Sequence, residues 1–112
     1  MREEKERVYF VKDKQHGGEV TAVFPYQLGT DDPTTMGCYA TIGQHGTCSE
    51  QWVLGKNNRR ATPKEYKALY DELTNMVGYD LKILNVFPRT DSLNYRIKGL
   101  KTIYDRRVFG VI

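Results

Sequence analysis

Asp32-Pro33-Thr34-Thr35-Met36-Gly37-Cys38-Tyr39-Ala40-Thr41-Ile42-Gly43-Gln44-His45-Gly46-Thr47-Cys48 is the stretch whose reading decides the fold. Met36, Cys38, Ala40 and Ile42 alternate with Tyr39, Thr41 and Gly43, the two-residue period of a strand. The first set is apolar and belongs on a core, so Cys38 reads as a small buried hydrophobe. Asp32-Pro33 favours a turn before the strand. Gly43 and Gly46, set among polar residues, imply a second turn after it. That turn presents Gln44, His45 and Cys48, and is the first place to look for a site.

Upstream, Val8-Tyr9-Phe10-Val11 and Glu19-Val20-Thr21-Ala22-Val23-Phe24 are β-favouring runs joined across Gln15-His16-Gly17-Gly18, a hairpin signal. Val20, Ala22 and Phe24 share one face of the return strand, and Thr21 and Val23 the other. Pro25 closes the hairpin, and residues 26–35 read as loop, with Asp31 and Asp32 as solvated charges. Downstream, Gln51-Trp52-Val53-Leu54 reads as a short fourth strand, and Lys56-Asn57-Asn58-Arg59-Arg60 as an exposed basic loop.

A helix follows. Thr62-Pro63-Lys64-Glu65 combines an N-cap, proline at the first helical position and a capping-box glutamate. Tyr66, Leu69, Tyr70, Leu73 and Met76 then repeat at helical spacing, and Gly78 is a natural stop. Leu81 to Phe87 is a strand ended by Pro88. Beyond it, Leu93, Ile97, Leu100 and Tyr104 fit a helix capped near Asp91-Ser92. Leu93, Tyr95 and Ile97 fit a strand equally well. The expected fold is therefore α+β, a mainly antiparallel sheet of about four or five strands with one amphipathic helix packed on one face. Residues 1–112 form one domain, its core spanning about 8–88, with 89–112 a basic extension whose end is apolar.

The net charge of +3 is modest, but its distribution is uneven. Arg89 to Ile112 holds six of the seventeen Lys/Arg and two of the fourteen Asp/Glu. Nothing resembling a secretory signal or an 18-residue apolar run occurs, and with two cysteines a cytoplasmic protein with reduced thiols is expected.

Three chemistries are open to these residues. Cys38, His45 and Cys48 offer C-x6-H-x2-C, which matches no common zinc spacing, and in an extended strand Cys38 and His45 point to opposite faces. No metal or other cofactor is therefore expected. A Cys48–His45 nucleophile pair would need the two side chains in contact, and no nucleophile elbow or phosphate-cradling loop supports an enzyme. Nucleic-acid contact would use Lys56, Arg59 and Arg60, with Arg96, Lys98, Lys101, Arg106 and Arg107. No reader motif accompanies them.

Several elements carry a resemblance. Glu19-Val20-Thr21-Ala22-Val23-Phe24-Pro25, Cys38-Tyr39-Ala40-Thr41-Ile42-Gly43-Gln44-His45, Ala61-Thr62-Pro63-Lys64-Glu65-Tyr66 and Gly78-Tyr79-Asp80-Leu81 occur in this order. The chain in this respect resembles a family of small uncharacterised proteins of bacteriophages and mobile elements, also found in gut bacteria. The resemblance spans residues 8–86 and implies a small accessory protein without an assigned activity. Together these readings lead to an expected non-catalytic interaction or modulator protein with a protein partner. A nucleic-acid-binding accessory protein is the alternative, and a Cys/His-dependent enzyme or metal site the third.

Overall fold

The computed structural model describes residues 5–14, 18–40 and 44–105. The turn expected at Gln15–Gly17, residues 41–43 of the alternating strand and the apolar C-terminal end all lie outside the described residues. Among the described residues six strands form the sheet: β1 (Glu6–Asp13), β2 (Val20–Leu28), β3 (Thr35–Ala40), β4 (Gln44–Ser49), β5 (Asn58–Arg60) and β6 (Leu81–Ile83). Five run antiparallel in the order β4-β3-β2-β1-β5. β6 pairs in parallel with the first half of β1, Glu6 to Val8 against Leu81 to Ile83. The fold is α+β and mostly antiparallel, as the alternation implied, with one strand more than expected.

The two-residue period sorts the sheet into two apolar faces. Val8, Phe10, Ala22, Phe24 and Tyr39 share the first, and α2 (Pro63–Asp71) packs on it with Leu69. Tyr66 of α2 stacks on Phe10 at 4.4 Å between ring centroids. Val11, Val23 and Met36 share the second face, covered by Val53 and Phe87. Val53 belongs to α1 (Glu50–Val53), so apolar cover lies on both faces rather than beneath a single helix. Removing water from a fully buried side chain such as Leu73 contributes about 1.5–3 kcal/mol, and residues of this kind line both faces.

The capping box forms as the sequence implied. Thr62 Oγ1 accepts from the Glu65 amide, and Glu65 Oε1 accepts from the Thr62 amide at 2.9 Å. The helix then widens into a π-helical segment, Glu72–Val77, which ends at Gly78 in the left-handed region (φ 96°). There Leu73 O accepts the amides of both Gly78 and Tyr79. The extra residue per turn rotates the apolar stripe, so Leu73 stays buried while Met76, expected on the core face, is 82% exposed.

Five segments differ from expectation. Gln51-Trp52-Val53 is helical, not a strand, because Ser49 Oγ accepts from the Trp52 amide and caps a turn of helix. The basic loop contains β5, paired with β1 from Val11↔Arg60 to Asp13↔Asn58. Gln44 to Cys48 forms β4 rather than a turn. Pro25 does not close β2, which continues to Leu28 through a bulge: register passes from Phe24↔Gly37 to Leu28↔Met36. Of the expected 81–87 strand, only Leu81–Ile83 pairs.

Residues 89–105 form α3 (Arg89–Asp105), the helical alternative. It packs beside the bulged end of β2, where Tyr26 and Tyr95 meet edge to face at 5.3 Å. Tyr26 also lies under the Arg7 guanidinium, 3.4 Å from the ring centroid, and donates to Asp91 Oδ2 at 2.5 Å. None of the described helices is long and apolar enough to cross a membrane.

Candidate functional site

β4 pairs with β3 from Thr35↔Ser49 to Ala40↔Gln44, which fixes where its side chains point. His45 lies opposite Tyr39 and Cys48 opposite Met36. Three positions apart on one strand, His45 and Cys48 occupy opposite faces. The Cys48–His45 pair of the enzymatic reading is thus corrected: strand geometry keeps the imidazole away from the thiol. Cys38 and His45 also fall on opposite faces, which separates the ligands of the metal reading. Among the described residues no group of three metal-ligating side chains converges.

Each side of the hairpin has its own set of neighbours. The exposed His45 ring meets Tyr39 edge to face at 4.7 Å and lies 6.5 Å from Tyr79. Tyr79 stacks on Phe24, and the buried Tyr39 hydroxyl donates to Glu72 at the start of the π-helical segment. On the opposite side Cys38 faces Gly46 and hydrogen-bonds with Cys48, the diagonal neighbour. That hydrogen bond holds the Cys38 thiol down at about 7, while the same contact and burial push Cys48 up. Gln44, at the start of β4, is exposed.

The basic candidates do not form one surface. Arg59 makes a bidentate pair with Glu65, at 2.8 and 2.7 Å. Lys12 joins the same carboxylate at 3.0 Å. The Arg59 pair, then the Thr62 amide and Lys12, hold the Glu65 carboxyl well below the usual carboxylate range. Lys56 and Arg60 are exposed, Arg60 reaching Asn85 Oδ1 at 3.4 Å. Arg96 is corrected outright. It is 0% exposed, and its guanidinium donates to Pro33 O, Pro25 O and Glu50 Oε2, so no phosphate can reach it. Lys98 and Lys101 are exposed on α3, and Arg106 and Arg107 lie outside the described residues.

The surface that the sequence left open is that of α3. Its inward positions are Ser92 and Arg96, both fully buried, and Gly99, which faces the Leu28 side chain. The apolar stripe Leu93, Ile97, Leu100 and Tyr104 therefore lies along the helix flank. Ile97 is 44% and Tyr104 62% exposed, while Leu93 and Leu100 are half-buried. Beside the stripe a shallow groove of about 270 Å³ runs between Asp31, Leu100, Ile103 and Tyr104. On the other flank Tyr26, Leu28, Tyr95 and Ile103 line a second groove of about 610 Å³. The four-three-four spacing of the stripe was legible in the sequence, but its orientation was set by Arg96. Compared with protein-family models, curated proteins and solved structures, the chain matches none.

Proposed function

We propose that the protein is a non-catalytic interaction protein that takes an amphipathic helix of a partner protein along the flank of α3. One observation carries the reading: Leu93, Ile97, Leu100 and Tyr104 repeat as alternating d and a positions of a heptad, yet half the stripe faces solvent. A helix that turns Ser, Arg and Gly inward and leaves an a/d seam outside has the pattern of one side of a helix pair. Ile at a with Leu at d suits a two-stranded arrangement. Lys101 occupies the solvent-side rim of the seam, at an e position, with Asn94 as its equivalent one heptad earlier. The partner helix that complements this rim carries acidic residues beside its own apolar seam. The phage or mobile-element setting rests on the sequence resemblance alone.

The test uses the full chain as bait, with Ile97→Asp/Tyr104→Asp as the seam variant and Lys82→Glu on β6 as the control. Seam anchors of this kind are worth about 2 kcal/mol or more each, so capture of a partner should fall at least ~30-fold in the seam variant. It should be unchanged in the control, and cross-linking should map contact to an acidic, amphipathic helical segment. Equal capture by wild type and seam variant would overturn the reading. So would a concentration-dependent dimer abolished by the same substitutions, which would assign the seam to a second copy. Nucleic acid retained equally by both proteins would also count against it.

A further inference from the structure

We infer that Cys38 and Cys48 form a peroxide-sensitive dithiol, with Cys38 the attacking thiolate and Cys48 the resolving thiol. The placement comes from register. Cys38 stands opposite Gly46, and Cys48 stands two residues further along β4, on the same face. Diagonal neighbours of this kind stand about 7–8 Å apart across an antiparallel pair, so closing an S–S bond between them draws β4 toward β3. The Cys38 thiol lies over Gly46: a Cβ there would be 3.8 Å from Cys38 Sγ, an ordinary van der Waals contact, so the sulfur is on the face that Cys48 shares. On that face the Cys48 thiol lies within hydrogen-bonding reach of Cys38. Both are free and only partly buried, so a small oxidant can reach them.

The surroundings give the two sulfurs different tasks. Cys48 packs against the cluster containing Met36 and Val53 and donates its proton toward Cys38. Cys38, the acceptor, is the member that ionises near neutrality. The charged groups near this face are Arg96, whose field acts on Cys48, and Glu50, which is paired to Arg96. Tyr9 packs against the same apolar cluster. His45, on the opposite face, is no base for either sulfur. A low-pKa, accessible thiolate poised next to a second cysteine is the arrangement that oxidants select.

The chemistry balances with a hydroperoxide as the oxidant. Cys38 thiolate attacks the outer peroxide oxygen; an S–O bond forms, the O–O bond breaks, and the leaving oxygen takes a proton to become water or an alcohol. Cys48 sulfur then attacks the Cys38 sulfenic sulfur. The S–S bond forms, and the hydroxide displaced from Cys38 leaves as water with the Cys48 proton. Two thiols lose two electrons, and one peroxide gains them. The product joins the edge strand β4 to β3 covalently, and an external dithiol reverses the step.

Hydrogen peroxide on the full-length protein, followed by intact mass and peptide mapping, tests this. Wild type should lose two hydrogens and yield a Cys38–Cys48 peptide within one chain. Cys48→Ala should instead accumulate a dimedone adduct at Cys38, and Cys38→Ala should give none at Cys48. Because either variant could misfold, substoichiometric iodoacetamide on the wild type is the second measurement. Cys38 should be labelled roughly tenfold faster than Cys48, its rate rising with pH through about 7. Equal labelling of the two cysteines would overturn the inference, as would disulfides formed only between chains. Peroxide that leaves both thiols of the wild type unoxidised would do the same.

Discussion

Arg96 donates through all three guanidinium nitrogens: Nε to Pro33 O at 2.8 Å, Nη1 to Pro25 O at 2.6 Å and Nη2 to Glu50 Oε2 at 2.5 Å. One side chain thus ties α3 to the β2 bulge, to the turn before β3 and to α1. The bulge makes this geometry available, because it removes Pro25 from the β2–β3 ladder and leaves its carbonyl for Arg96. Breaking a buried ion pair from one side costs about 3–5 kcal/mol, since the remaining charge stays out of water. Arg96→Ala is therefore expected to lower unfolding stability by about that amount, and it also orphans two carbonyls. Glu50→Gln leaves the Arg96 charge buried without its counter-ion, at a cost of about 3–5 kcal/mol, but it keeps both carbonyl contacts and should be the smaller of the two losses. Urea titration of both variants checks the order; equal losses would show that the carbonyl contacts contribute little. Nothing in the sequence marked Arg96 as different from Lys98 or Lys101, because its three acceptors come from positions 25, 33 and 50. The face of Cys38 was easier to place, since its neighbours on β3 already supply the alternation, but the side chain is only half-buried and not the buried hydrophobe expected.

At the scale of elements, legibility followed how local the controlling contacts are. The start of α2 was readable because Thr62, Pro63 and Glu65 satisfy one another within four residues. β4 was not, because an edge strand exposed along most of its length carries no apolar alternation, and its glycine reads as a turn. β5 is three residues long and exists only by pairing with β1, while Gln51–Val53 follows a serine cap rather than its β-favouring composition. Gly99 argued against α3 for the same reason: in isolation it disfavours a helix. In the folded protein a Cβ at this position would meet Leu28 Cδ1 at 3.6 Å, an ordinary van der Waals contact. Gly99→Ala should therefore fit without displacing β2 and stabilise the protein by roughly 0.5–1 kcal/mol through the lost flexibility of glycine. Thermal denaturation measures this directly. A fall in midpoint would mean that α3 and β2 cannot accommodate one added methyl group.

Across the whole molecule, the sheet is protected unevenly. β1, β2 and β3 each have hydrogen-bonded neighbours on two sides, and their apolar residues feed both clusters. Among the described residues β4 pairs with β3 alone, and Gln44 to Thr47 are exposed. This arrangement places the proposed dithiol across the β3–β4 pair, so a covalent bond there would tie down an exposed strand. Leu73 belongs to the opposite limit: it is fully buried in the cluster shared by β1, β2, β3, α2 and β6. Leu73→Ala should cost about 2–5 kcal/mol of global stability. In hydrogen exchange, the amides of Phe10, Ala22 and Val23 should lose protection by that full amount, because they open only when the chain unfolds. The amides of β4 should exchange at nearly the wild-type rate, because their local opening leaves the Leu73 cluster intact. Equal acceleration at β4 and β2 would place the hairpin inside the global unit, and the β3–β4 edge would then not move independently of the core.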